Sequence, residues 1–330
     1  MNDVLNLRGT RYELVERLGS GDRERFRAFD RHAGPRGDYR AIHVLPRSKE
    51  AEQQLGVLQR LANSRNSNVP FFISHHVQGD RIYIVSSWIP GKSLAEYLHE
   101  VRAGKTSRAS VFNACRLIRG QAHGLCQLHS AWDVHHGDIK PANLILSPQG
   151  RALSTIDFGS AWLGQRTMER TSGDGASGVY SAPELLEKGA VPDFRSDQFS
   201  LSVVWYEMLT LAIPYDGAGG RAGLAAIRSA FANKLLPPSK LANTKKEGMP
   251  RGLWRHIDAA ICRGLALDPK GRFPSPRDWL NALDDIHYEF RRRTRLGGFN
   301  RVIADWLGNV VGYFPRRRPS DTTVEVDGDE

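Results

Sequence analysis

The spacing of apolar and polar residues predicts a series of short elements. Between residues 11 and 30 the apolar positions fall into two short runs separated by Gly19-Ser20-Gly21, which read as two strands joined by a turn. Residues 40–45, Arg-Ala-Ile-His-Val-Leu, form an alternating strand. Over 48–62 the period lengthens, with Leu55, Leu58 and Leu61 at helical spacing. Residues 81–89 are strand-like again and lead into Pro90-Gly91. Residues 109–130 form an apolar-periodic helix ending at Leu128-His129, and Leu144-Ile145-Leu146 is a short apolar run. Residues 196–211 form a strongly apolar helix with Ser196 or Asp197 as its start signal.

The last part of the chain has a different pattern. Arg291-Arg292-Arg293-Thr294-Arg295 is a basic run, and Gly297-Gly298 reads as a break. Phe299, Val302, Ile303, Trp306, Leu307, Val310, Val311 and Phe314 then form an amphipathic helical stripe, ended by Pro315 and followed by Arg316-Arg317-Arg318. Arg301 and Asp305 argue against a bilayer span, whereas the basic runs of 291–318 suit an anionic membrane surface. Docking of this helix on the preceding domain or on a partner is the competing and favoured expectation. The tail from Ser320 to Glu330 is acidic and reads as disordered.

Composition narrows the class without naming it. The 330 residues suit one large domain or two smaller ones, and 40% apolar with 25% charged residues is ordinary for a globular protein. With 46 Lys and Arg against 36 Asp and Glu, the net charge is +10. That balance fits an acidic lipid, a phosphorylated ligand, nucleic acid or simply a solvated basic surface. Nothing beyond charge points to nucleic acid. Cys115, Cys126 and Cys262 have neither metal-ligand nor disulfide spacing and read as reduced core thiols. The first residues, Met1-Asn2-Asp3, open no signal-peptide run, and no stretch reaches the about 18 apolar residues of a transmembrane helix. The expected location is the cytoplasm, peripheral to the membrane if the basic C-terminal segment engages lipid.

The chemistry is concentrated between His135 and Gly159. His135-His136-Gly137-Asp138-Ile139-Lys140-Pro141-Ala142-Asn143 is followed by the 144–146 strand, a turn and Asp157-Phe158-Gly159. Two carboxylates, an amide and a lysine in one loop–strand–strand segment match the needs of phosphoryl transfer. The segment resembles the catalytic and magnesium loops of the Hanks-type serine/threonine protein kinases, His-Arg-Asp-x-Lys-x-x-Asn and Asp-Phe-Gly, with Gly137 in place of the Arg. The resemblance implies Asp138 as catalytic base, Lys140 steadying the transferred phosphate, and Asn143 and Asp157 holding Mg2+ for ATP.

The same resemblance extends through the chain in family order. Gly19 and Gly21 match the phosphate-covering loop, but its third glycine is Glu24 and its valine is Phe26, which is expected against the adenine ring. A carboxylate at Glu24 is expected to repel phosphate. Ala41 and His43 fall in the Val-Ala-Ile-Lys strand, so His43 replaces the lysine. The helix acid that pairs with that lysine falls on Gln54, with Glu52 pointing elsewhere, and His43 and Gln54 are expected to share a neutral hydrogen bond. Ser86 guards the back of the nucleotide pocket, and Ser87, Trp88 and Ile89 form the hinge. Asp157 to Glu184 resembles an activation segment closed by Ala182-Pro183-Glu184, with hydroxyls at Thr167, Thr171, Ser172 and Ser177. Ser177 falls where the family braces the catalytic Asp and Lys. Asp197 is expected to hold the catalytic loop from the core, and Arg272, in Asp268-Pro269-Lys270-Gly271-Arg272-Phe273, to pair with Glu184.

The implied fold is α+β: a bilobal kinase over residues 11–288, with a small β-rich lobe at 11–87, a larger helical lobe at 88–288 and a C-terminal extension at 289–330. The implied activity is transfer of the ATP γ-phosphate to protein hydroxyls, with a non-standard nucleotide site. Lys140 and Ser177 favour Ser/Thr as acceptor, and Gly137 removes the usual partner of an activation-loop phosphate. Arg23, Arg25 and Arg27 are candidates for the missing cation, since arginine suits phosphate. The alternative is a pseudokinase acting as scaffold or allosteric partner, because Glu24, Phe26, His43 and Gln54 all lie in the nucleotide half while Asp138, Lys140, Asn143 and Asp157 are intact. A third resemblance, of His-Gly-Asp with a following Asn to small-molecule phosphotransferases, is opposed by Lys140, Ala182-Pro183-Glu184, Asp197 and Arg272.

Overall fold

The computed structural model describes residues 4–7, 9–18, 24–62, 68–163, 177–187, 193–241, 249 and 251–295. Among these, strands β1 (Val4–Leu7), β2 (Thr10–Arg17), β3 (Glu24–Asp30), β4 (Asp38–Pro46), β5 (Phe72–Gln78) and β6 (Arg81–Ser87) form one antiparallel sheet in the order β1-β2-β3-β4-β6-β5. Helix α1 (Lys49–Leu61) crosses between β4 and β5 and starts at Ser48, whose Oγ accepts the Ala51 N–H at 3.2 Å.

Alternation assigns the two faces of this sheet. Ile42 lies opposite Phe26 on one side and Val85 on the other. With Leu7, Tyr12, Ala28 and Val44, Ile42 and Val85 make a small separate core, against which Phe26, Leu5, Leu14 and Tyr83 pack. On the other face Leu45, Ile82 and Ile84 join Val57, Leu58 and Leu61 of α1 in the main core. The sheet curls enough that Gln78 at the end of β5 donates from Nε2 to the Asn6 carbonyl of β1 at 3.1 Å. Strand β1 was outside the expected domain start; it supplies Leu7, which is fully buried.

The remainder is mostly helical. It comprises α2 (Leu94–Arg102), α3 (Val111–Trp132), α4 (Phe194–Thr210), the short α5 (Arg228–Phe231), α6 (Arg251–Gly264) and α7 (Pro276–Arg295). Short strands β7 (Lys92–Ser93), β9 (Leu144–Leu146) and β10 (Leu153–Thr155) pair in the order β10-β9-β7, and β8 (Val134–His135) pairs with β11 (Trp162–Leu163). The α4 helix begins earlier than expected because Asp193, not Ser196 or Asp197, is its N-cap, in a capping box with Ser196. It is buried almost throughout, so Asp197 enters the core. Helix α7 continues through the basic run to Arg295. No described helix is long and apolar enough to cross a membrane. The stripe from Phe299 to Phe314, Gly19, Gly21, Arg23, Thr167, Thr171 and Ser172 lie outside the described residues, as does the side chain of Ser177.

Candidate active site

The loop carrying Asp138 is held by hydrogen bonds from the helical core. Helix α3 ends at Asp133, which takes a left-handed conformation (φ 53°), and the chain turns back through β8. Asp197 of α4 meets it from below: Oδ2 accepts the His136 N–H and Oδ1 the Gly137 N–H, each at 2.8 Å, and His129 Nε2 lies 2.8 Å from Oδ2. Burial opposes ionisation of Asp197, but the His129 hydrogen bond, His129 and His136, and the Gly137 N–H bring its pKa down to about 2. Asp197 thus holds the loop that carries Asp138, as the sequence led one to expect. His129, His135 and Asp197 bring ligand-type atoms within 4.8 Å of one another. With the Asp197 oxygens already committed to these N–H donors, the group is a hydrogen-bond network. Gly137 takes φ +70°, a conformation that costs a residue with a Cβ, so glycine suits the turn.

Above this support the polar groups converge. Lys140 Nζ is 2.7 Å from Asp138 Oδ2, and both side chains are mostly shielded, at 24% and 16% exposure. Asn143 Nδ2 donates to the Asp138 carbonyl at 2.9 Å and to Oδ2 at 3.0 Å. Its amide group therefore faces Asp138, which leaves its carboxamide oxygen as a potential cation ligand.

The Asp157 turn is tied to the same loop. Ile156 N–H donates to the Asn143 carbonyl at 2.9 Å. His136 Nδ1 accepts the Asp138 N–H at 3.3 Å, which places the ring proton on Nε2, 3.2 Å from the Ile156 carbonyl. The His136 ring packs on Phe158 with centroids 5.0 Å apart. Asp157 itself takes φ 66° and accepts the Gly159 N–H on Oδ1 at 3.3 Å. Its other oxygen, Oδ2, is 2.5 Å from Arg25 Nη2.

Arg25 stands on β3 directly opposite His43 of β4. Burial and the Arg25 charge together push the His43 imidazole down to about 4, against the pull of Asp157, so His43 is neutral near pH 7. Burial also opposes ionisation of Asp157, but Arg25 and His43 outweigh it and hold the carboxyl below its ordinary range. The cation of this half-site therefore comes from β3 and not from the strand that carries it in the family pattern.

Other residues depart from expectation. Phe26 is not on the sheet face that carries Ala41 and His43: it lies opposite Ile42 and packs against the small outer core. The residue opposite Ala41 is Arg27, and Ser86 flanks Ala41 on the far side. The Arg27 guanidinium carbon is 4.0 Å from the Tyr39 ring centroid and 5.2 Å from that of Trp88. The Glu24 carboxylate does not face phosphate unpaired: it meets Arg17 at 2.5 Å and Arg81 at 3.1 Å. The expected His43–Gln54 hydrogen bond is not formed. Gln54 is buried instead beside Gly159, where Gln54 Oε1 and Asp157 Oδ1 flank the same point. Glu52 pairs with Arg47 at the surface, at 3.5 Å.

In the hinge, the Ser87 N–H donates to the Phe71 carbonyl at 2.8 Å, and the Trp88 N–H to the Tyr39 carbonyl at 3.4 Å. Ser87 Oγ accepts the Phe71 N–H at 2.9 Å. Ile89 is half-buried beside them. Arg272 pairs with Glu184 through two bonds of 2.7 and 2.9 Å, as the sequence led one to expect.

The donor set tests the fit of magnesium. One carboxylate, Asp157, and one carboxamide, Asn143, on adjoining segments match a cation that takes few protein oxygens and completes its shell with phosphates and water. Arg25 is in contact with that carboxylate and competes for one of its oxygens.

Comparison with known proteins agrees with this geometry. The chain is 25% identical over 286 residues to the "Probable serine/threonine-protein kinase" of Clostridium perfringens, covering 84% of this chain and 38% of that protein. It is 29% identical over 316 residues to serine/threonine-protein kinase A of Synechocystis sp., covering 86% and 55%. It is 30% identical over 187 residues to human ribosomal protein S6 kinase alpha-4, covering 56% and 23%. The chain thus spans about half or less of the length of these relatives. The family model for the protein kinase domain matches residues 12–276. With that match, and a β-sheet lobe set on a helical one, the chain belongs to the Hanks-type protein kinase family.

Proposed function

We propose that this chain is a serine/threonine protein kinase in which Arg25 replaces the missing strand lysine. The observation that carries the reading is the Arg25–Asp157 contact beside a neutral His43. A permanent cation against Asp157 supports phosphate binding beside that carboxylate.

In this reading Asp138 accepts the proton of a substrate Ser or Thr hydroxyl, and its carboxylate is oriented by Asn143 Nδ2 and Lys140 Nζ. Lys140 is positioned to stabilise charge on the transferred phosphoryl group. Asn143 and Asp157 would hold Mg2+, whose chemistry when bound is to neutralise phosphate charge. Ala41, Ser87, Trp88 and Ile89 would border the base, and Arg27, not Phe26, would lie beside it. A protein supplies the hydroxyl.

The test is transfer of labelled phosphate from ATP with magnesium, wild type against Asp138→Asn. Label above the Asp138→Asn background supports the enzyme. No label, and no thermal shift with ATP and magnesium, rejects both catalysis and nucleotide binding. The pseudokinase reading is favoured by one feature, the occupation of an Asp157 oxygen by Arg25, and a thermal shift without transfer is the result it expects.

A further inference from the structure

Arg25 bears on the order in which ligands enter the cleft. Both Asp157 oxygens are engaged, Oδ1 by the Gly159 N–H at 3.3 Å and Oδ2 by Arg25 Nη2 at 2.5 Å. The pair is only partly exposed, at 32% for Arg25 and 17% for Asp157, so solvent and salt screen it weakly. A divalent cation arriving alone meets a carboxylate already neutralised by a guanidinium and must displace a charge of its own sign. A polyphosphate arriving alone meets the opposite situation. A guanidinium presents five N–H donors in a planar fork, and the Asp157 contact uses one of them. Arg25 can therefore begin to donate to phosphate oxygens before it leaves Asp157.

We infer that Arg25 closes Asp157 to a free divalent cation, so the cleft takes a metal-free nucleoside polyphosphate first and the cation only afterwards. Phosphate draws the guanidinium away from Oδ2 and adds oxygens of its own, and the cation site is completed only then. The inference rests on the nucleotide-binding reading proposed above but commits to a different species, the nucleotide without its metal. It also assigns Arg25 a dual role: holding phosphate, and guarding Asp157 until phosphate arrives.

Two titrations of the full chain test it. ATP is titrated calorimetrically in EDTA and in magnesium. Mn2+ is titrated without nucleotide and followed by water-proton relaxation. For the wild type, ATP binds in EDTA, and Mn2+ alone gives no saturable enhancement. In Arg25→Ala, binding of ATP in EDTA weakens by about ten- to a hundredfold, and Mn2+ alone now binds. Arg25→Lys keeps a cation and continues to exclude Mn2+, which separates the effect of charge from any misfolding of the alanine variant. The inference is overturned if wild-type ATP binding requires magnesium, or if Mn2+ binds wild type and Arg25→Ala alike. Loss of ATP binding under every condition would instead reject the nucleotide reading itself.

Discussion

Arg25 and His43 face one another across the β3–β4 pair, with the charge on β3 and a neutral ring on β4. Restoring the family lysine at residue 43 would set two cations directly opposite each other. Like charges at opposed strand positions destabilise a sheet by up to about 1 kcal/mol. His43→Lys is therefore expected to lower stability in denaturant melts, and to cost less when Arg25→Ala is present. A double-mutant cycle measures this; equal costs in both backgrounds would refute the coupling.

Asp197 predicts an acid-limb effect. Its folded pKa, about 2, lies below its ordinary value of 3.8, so its stabilisation is fully present above about pH 4. It is lost as pH falls through the folded value, because the unfolded chain binds the proton first. Asp197→Asn should remove that part of the slope and cost about 1.5–3 kcal/mol at neutral pH, since N–H donors lose a charged acceptor. Chemical denaturation of both proteins between pH 2 and 7 is the measurement, and parallel curves would rule it out.

The Glu184–Arg272 pair is expected to act on stability. The Arg272 side chain is fully buried, its guanidinium carbon lies 4.8 Å from the Phe199 ring centroid, and Nε donates to the Ala266 carbonyl at 2.8 Å. Arg272→Ala leaves a carboxylate without its partner and should cost about 3–5 kcal/mol. Arg272→Lys keeps the charge but loses the two-point contact, and should fall between. A melting temperature unchanged in Arg272→Ala would contradict this.

Strand β1 should matter for the small lobe although it lies outside the cleft. Leu7 is fully buried in the outer core. Leu7→Ala is expected to destabilise by about 2–5 kcal/mol, with ATP affinity unchanged at a temperature where the variant remains folded. Hydrogen exchange should show lost protection in β2 and β3 before the helical lobe.

How much of this was legible in the sequence depended on distance along the chain. Asp138, Lys140 and Asn143 lie within one loop, so their short spacing alone brings them together. Glu184 and Arg272 could be paired only through the family pattern. The face of Phe26 was not legible, because strand side chains alternate and a slip of one residue exchanges the faces. The sequence ahead of β3 does not fix its register, and only the pairing opposite Ala41 puts Arg27 on the face of Ala41 and His43. Arg17 and Arg81, which neutralise Glu24, come from different strands, so no local signal announces them. The His43–Gln54 bond failed for a related reason: it assumed the family's partners, whereas Gln54 lies beside Gly159. Strand β1 has only the residues Val4-Leu5-Asn6-Leu7, too short a run for period-based reading.

The guanidinium of Arg27, set beside the Trp88 indole at the edge of the cleft, has an optical consequence. Indole emission responds to a nearby charge, so the protein carries its own fluorophore at the site proposed above for the base. A ligand that draws Arg27 away changes the light from Trp88, and Trp88→Phe should remove that change while leaving the signals of the buried Trp205, Trp254 and Trp279 in place.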